Sequence, residues 1–372
     1  MFIFNLLLFL IALSLLIFIH ELGHFIFAKI FNVYCMEFSL GMGPAVFSKK
    51  FKKDPETKYS LRWLPIGGYV AMAGEINDDE KEKELNIPND RSLNGINAWK
   101  RAIITVAGVT FNFIFALILI AIYIFANGVN SNDNTININE NSIAYNSGIR
   151  TGDKIHSVTS NIVKENNQTI YTACVQNACT VNTISELVKI INDKSPNSPG
   201  KVQEITINYY HNNELRTTTI TREYDATTED AQILGISSYL KTPGLFEGVG
   251  LTFKTFGEII VLMFEAIGSL FTKEGFNQVG GPVQVYTVSA QMASEGVLSY
   301  IWFLAIISVN LGFFNLLPIP GLDGARFYLS IGEAITNKKF NPKIEGYINM
   351  AGMFFLFGLM IIVTFKDIIM LF

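Results

Sequence analysis

Apolar residues fall in blocks along the chain, and the blocks make its first division. Four are long enough to cross a bilayer as helices, within residues 1–30, 100–127, 298–318 and 346–372, since about 20 consecutive apolar residues span the hydrocarbon core. Between the second and third lies 128–245, where polar and apolar positions mix as in a soluble domain. Residues 250–271 are apolar enough for a fifth span, but Lys254, Glu258 and Glu265 are spaced by four and seven and share one helical face. That spacing predicts an amphipathic helix within 246–290 that lies in the membrane interface. In the loop 31–99, MEFSLGMGPAVFSKKF and KYSLRWLPIGGYVAMAGE read as strand-like runs punctuated by Gly and Pro. They are too short to span as helices, so the expectation is either a β-hairpin that dips to the membrane or a plain cytoplasmic loop.

Composition agrees with the pattern. Of 372 residues, 49% are hydrophobic and 16% charged, far from the usual soluble balance. Net charge is −4 and no basic run is interleaved with aromatics, so nucleic acid is not an expected partner. Cys174 and Cys179 lie in the soluble part, where an oxidising compartment would allow a short disulfide loop; the third cysteine is Cys35. Residues 1–30 lack the basic start and small-residue cleavage site of a removed signal peptide. Lysines and arginines concentrate between Lys49 and Arg101 and again at Arg326, Lys338, Lys339 and Lys343. The positive-inside rule makes 31–99 and 319–345 cytoplasmic and leaves 128–245 and both termini outside.

Within the first apolar block stands HELGH, residues 20–24. Histidines four apart on a helix share one face and can reach one zinc ion, with Glu21 beside them. Zinc held there acidifies a water, and Glu21 can take its proton as the water attacks a peptide carbonyl. Ionisable groups inside an apolar span are costly and point to a water-filled site; the bland alternative is a polar patch against a neighbouring helix. Two histidines leave the site short of a ligand, and Asp323 in NLLPIPGLDG is the candidate third. Pro318 and Pro320 break the helix there and free a carboxylate to turn toward a cavity, unless the segment is merely a helix-ending turn. Depth offers a check. At about 1.5 Å rise per residue His20 lies roughly 27 Å from an outer N-terminus, near the cytoplasmic edge. The third span delivers Asp323 to that edge only if 250–271 does not cross, so the two readings support each other.

Several motifs in order now resemble the site-2 protease family of intramembrane metalloproteases, in its bacterial regulator-of-sigma-E type. They are HELGH, AGVTFNF at 107–113, GGPV at 280–283 and NLGFFNLLPIPGLDG at 310–324, and they cover the chain nearly end to end. The resemblance implies zinc ligands His20, His24 and Asp323, the base Glu21, and substrate-binding roles for Asn315 and Asn112. Two departures are Val109, where the family has proline, and Ala325-Arg326 after LDG. Residues 141–161, NSIAYNSGIRTGDKIHSVTSN, resemble the start of a PDZ domain, with turn glycines Gly148 and Gly152, Asp153 ordering the turn, a helix at about 183–193 and strands at 204–210 and 216–224.

The implied fold is a four-transmembrane α-helical zinc protease core with one inserted extracytoplasmic PDZ (α+β) domain and a membrane-associated β-hairpin-like loop. The implied function is cleavage of single-pass membrane proteins already shortened by another protease, such as an anti-sigma factor or a signal-peptide remnant, at the bacterial inner membrane. A noncatalytic PDZ scaffold is the competing reading, disfavoured by the intact HELGH and Asp323.

Overall fold

The computed structural model describes residues 2–75, 85–130, 133–163, 169–173, 179–191, 202–223, 234–269, 272 and 280–370. The chain opens with α1 (Phe2–Ile30), β1 (Cys35–Phe51), β2 (Asp54–Met72) and α2 (Ala98–Asn127). There follow β3 (Val129–Asn130), β4 (Ile136–Ile138), α3 (Ile143–Asn146), β5 (Lys154–Val163), β6 (Thr169–Ala173), β7 (Cys179–Thr180), α4 (Ile184–Ile191), β8 (Val202–His211), β9 (Glu214–Glu223), β10 (Ile236–Ser238) and β11 (Leu240–Lys241). The last five elements are α5 (Leu245–Ser269), α6 (Pro282–Glu295), α7 (Val297–Leu316), α8 (Asp323–Thr336) and α9 (Pro342–Met370). Two compact units result, one of Met1–Ile124 with Leu245–Phe372, the other of Phe125–Gly244.

In the first unit, α1, α2, α7 and residues Lys343–Ile369 of α9 are long and apolar enough to cross a membrane. Much of their apolar surface faces outward, as at Ile118, Phe354 and Phe355, which water penalises and lipid accepts. The α5 helix is outside that set. It buries Gly248, Thr252 and Ile259 while Lys254 and Glu258 pair at 3.8 Å on its exposed side. Phe264 of α5 meets Phe313 of α7 edge-on at 4.9 Å. The segment 246–290 is not one helix: α5 ends at Ser269, and α6 starts at Pro282, whose fixed φ suits a first helical turn. Asp367 of α9 accepts the N–H groups of Gly281 and Gln284 at 3.2 and 3.0 Å, satisfying donors that a helix start leaves open.

The strand-like runs of the first loop form a folded-over sheet. Glu37–Leu40 pairs with Ala71–Gly68 on one side and with Lys58–Leu61 on the other, while Lys58–Leu61 also pairs with Lys50–Phe47. Each strand therefore bends, and Gly41, Gly43 and Gly67 hold the positive φ values, near 80°, that the bends need. Arg62 donates to Glu37 Oε1 at 2.8 Å and to Ser39 Oγ at 2.9 Å, tying neighbouring segments. The root of the sheet buries Cys35, Phe38, Val70 and Met72 with Ala28 of α1 and Ile104 of α2.

The second unit has its own core, in which Ile136, Ile155, Ile205, Ile207 and Leu187 are fully or almost fully buried. Its main sheet runs β6-β5-β8-β9, with β7 pairing β5, and α4 lies at the helix expected near 183–193. Gly148 and Gly152 have φ of 92° and 95°. Asp153 accepts from Arg150 N at 2.8 Å and holds His211 Nδ1 at 2.7 Å. Cys179 is disulfide-bonded; Cys174 lies outside the described residues. Short pairings close the unit: Val129 faces Lys241 and Asn130 faces Leu240.

Candidate metal centre

Three donor atoms from distant parts of the sequence converge in the first unit. His20 and His24, one turn apart on α1, are buried, with Nε2 atoms 3.2 Å apart. Asp323 Oδ2 lies 2.8 Å from His20 Nε2 and 3.1 Å from His24 Nε2. These are the side chains whose ligand atoms fall within 4.8 Å of one another among the described residues. Ligands about 2.0–2.1 Å from a tetrahedral zinc stand roughly 3.3 Å from each other, so the triangle is slightly tighter than a loaded site and of the right kind. His24 Nδ1 lies 2.8 Å from the Ile104 carbonyl. A carbonyl only accepts, so the proton sits on Nδ1 and leaves Nε2 free to bind metal.

The sequence builds this centre by close backbone approach. A Cβ on Gly23 would stand 2.7 Å from the Ala107 carbonyl carbon and 3.0 Å from Gly108 Cα. One on Gly108 would stand 2.8 Å from His20 Cε1 and closer still to His24 Nε2. The glycines let α2 lie against the histidine face of α1, as small residues do between membrane helices. Asp323 is the first residue of α8, where a carboxylate is favoured by the helix dipole. The bend before it is held from both sides. Gly321 has φ of 93° and donates to Asn349 Oδ1 at 3.3 Å, and a Cβ on Gly324 would stand 2.5 Å from the Leu316 carbonyl oxygen. Arg326 pairs with Glu75 at 2.7 Å and with Glu345 at 3.7 Å, and Arg101 of α2 pairs with Glu333 of α8.

Glu21 lies beside β2, where a Cβ on Gly68 would be 3.8 Å from its Cγ. The same strand is reached seven residues earlier, where the Ser14 hydroxyl donates to the Pro65 carbonyl. Two helical turns and three strand residues each cover about 10 Å, so Pro65–Gly68 runs alongside α1 toward the three donor side chains. Asn315 is half-buried at the end of α7, and no hydrogen bond among the described residues joins it to the three donors. Asn112 is fully buried, with Nδ2 3.1 Å from His20 Nδ1. The motif reading named as candidate ligands the three side chains that the structure brings together; it assigned nothing to Gly108, the Ile104 carbonyl or Arg326, whose parts depend on which helix faces meet.

Comparison with known proteins follows the same lines. The profile of "Peptidase family M50" matches residues 8–359. A protein of Clostridium perfringens named "Putative zinc metalloprotease" is 32% identical over 363 residues, covering 97% of each chain. One of the same name from Clostridium acetobutylicum is 33% identical over 369 residues and covers 98% of each. "Probable protease eep" of Enterococcus faecalis is 28% identical over 441 residues, covering 97% of each.

Proposed function

The chain belongs to peptidase family M50 and is a membrane zinc metalloprotease, and on that premise we propose that His20, His24 and Asp323 hold the zinc. The observation that carries this is the meeting of three donor atoms within 4.8 Å from residues 303 apart in sequence. Zinc, when bound, supplies a Lewis acid that activates water and polarises a peptide carbonyl. Glu21, next to His20 and facing β2, takes the proton from the attacking water and delivers it to the leaving amine. Asn315, at the mouth of the bend that carries Asp323, binds the substrate backbone.

The substrate is a transmembrane segment of a single-pass protein, shortened beforehand by another protease. A helix shields its own carbonyls, so it must open into extended chain before hydrolysis. Leu64–Met72 of β2 has a strand partner on one side only among the described residues and passes Glu21, so an opened segment can add there as a further strand. Exposed Met42, Phe47, Trp63 and Leu64 suit a sheet set against lipid. The second unit is read as a PDZ-type domain outside the cytoplasm, in keeping with the disulfide at Cys179, and it screens substrates by the bulk of their outer parts. The α5 helix is read as interfacial, its charged pair toward water. A noncatalytic scaffold is disfavoured by the family and by the proteases among its relatives.

The test is cleavage of a tagged single-pass reporter in membranes. Glu21→Gln is expected to slow cleavage about 10²–10⁴-fold with zinc content unchanged, and cleavage at the wild-type rate would remove Glu21 from the mechanism.

A further inference from the structure

A neutral imidazole has one proton, and the nitrogen without it is the one that binds a metal. For His24 the choice is made by backbone, since the Ile104 carbonyl at 2.8 Å from Nδ1 can only accept. For His20 the neighbour is a side chain that can do either. Asn112 is wholly buried, its Nδ2 is 3.1 Å from His20 Nδ1, and its Oδ1 has no hydrogen-bond partner among the described residues. The residue itself is held in place, because the Ser308 hydroxyl of α7 donates to its backbone carbonyl at 2.8 Å.

With Nδ2 toward His20, Nδ1 must accept, and the ring proton goes to Nε2, 2.8 Å from Asp323 Oδ2. That is a self-consistent metal-free arrangement, and it blocks Nε2. Turning the amide over puts Oδ1 against Nδ1, which then donates, and Nε2 is free for the ion. The far end of the amide lacks a described partner in the first setting, and the second exchanges only which polar atom occupies that place. The state of His20 is therefore what separates the two settings.

We propose that Asn112 is a positioning residue for the zinc site, its amide oxygen accepting the Nδ1 proton of His20 and so fixing the tautomer and ring orientation that present Nε2 to the metal. This rests on His20 being a zinc ligand. It also gives Asn112 a place behind the ligand in addition to, or in place of, contact with substrate. Partners of this kind hold metal-binding histidines generally, and losing one typically weakens metal binding about 10–100-fold.

The experiment uses the full chain in detergent. Zinc affinity is measured by competition with a chelator, and Co²⁺ loading is followed by its visible absorption, alongside melting of each metal-free protein. Asn112→Leu, which keeps bulk and removes the acceptor, is expected to lose about 10–100-fold in zinc affinity and to shift the Co²⁺ bands. Asn112→Asp, which restores an acceptor, is expected to bind within a few-fold of wild type. If leucine lowers the metal-free melting temperature, Asn112→Ala removes the same acceptor without bulk and is read in its place. Wild-type affinity and Co²⁺ bands in the acceptor-less variant overturn the proposal, as does an equal loss in Asn112→Asp. His20→Ala separates the two levels: full zinc retention there removes His20 from the ligand set, whereas zinc loss there with a silent Asn112→Leu defeats the positioning role alone.

Discussion

At the scale of single residues, the centre depends as much on what is missing at Gly23 and Gly108 as on the histidines. Any side chain at Gly108 must displace the His20 and His24 rings or the α2 backbone. Overfilling a tight contact costs about 1–3 kcal/mol, and here the displaced groups are the proposed ligands. Gly108→Ala is therefore expected to lower zinc content at a fixed chelator concentration more than it lowers expression, as metal analysis of the purified protein would show. Cys35 behaves oppositely. Burial is the main cause pushing its thiol up to about 12, outweighing the attraction of nearby Lys29, so it stays protonated at neutral pH and should resist alkylation until the protein unfolds. A mass shift on brief treatment of the folded chain would refute that. HELGH and Asp323 were legible in the sequence because their chemistry is carried by residue type and spacing. Asn112 was named only through the family resemblance and as a substrate contact, and Gly108 and the Ile104 carbonyl were given no part, because their places beside the histidines depend on the crossing of α1 and α2, which periodicity does not encode.

At the scale of elements, polar side chains pin the joins. Burial raises the Asp54 carboxyl, but hydrogen bonds from Lys29, Thr57 and Tyr59 outweigh it and hold the group below its usual value of 3.8. A carboxylate depressed in the fold contributes stability that is present above the unfolded value and lost as pH falls through the folded one. Loosening of the β1–β2 sheet should therefore set in below about pH 4, read as faster backbone hydrogen exchange at Thr57 and Tyr59, and Asp54→Asn should flatten that dependence. Asp367 plays a comparable part at α6. Asp367→Ala uncaps Gly281 and Gln284 and is expected to destabilise the α6 start by about 0.5–2 kcal/mol, measurable as earlier proteolysis near Gly280. The GGPV run was recognisable as a motif, yet its partner lies 86 residues away, beyond any local signal. The strand runs were likewise visible, but their folding into four paired segments rests on bends at Gly41, Gly43 and Gly67 that alternation alone does not locate.

At the scale of the molecule, the apolar blocks anticipated the four long helices, with boundaries shifted by a few residues, and the polar block runs where the second compact unit, Phe125–Gly244, lies. All three candidate ligands lie in the first unit. Replacing Asn130–Leu240 by a short Gly/Ser linker is thus expected to leave zinc stoichiometry at wild type while changing which reporters are cut; loss of zinc in a chain that still melts cooperatively would argue against that independence.

The facing of Val129 with Lys241 and of Asn130 with Leu240 also bears on how the chain assembles. Paired strand residues stand about 5 Å apart, so a folded second unit presents its two ends as neighbours. An unstructured insertion of 120 residues, Phe125 to Gly244, would cost about 4 kcal/mol in loop closure before Asp323 could meet the histidines. Once that unit has folded, the connection is as short as a tight turn, and the entropy of bringing the two halves of the metal site together no longer scales with the length between them.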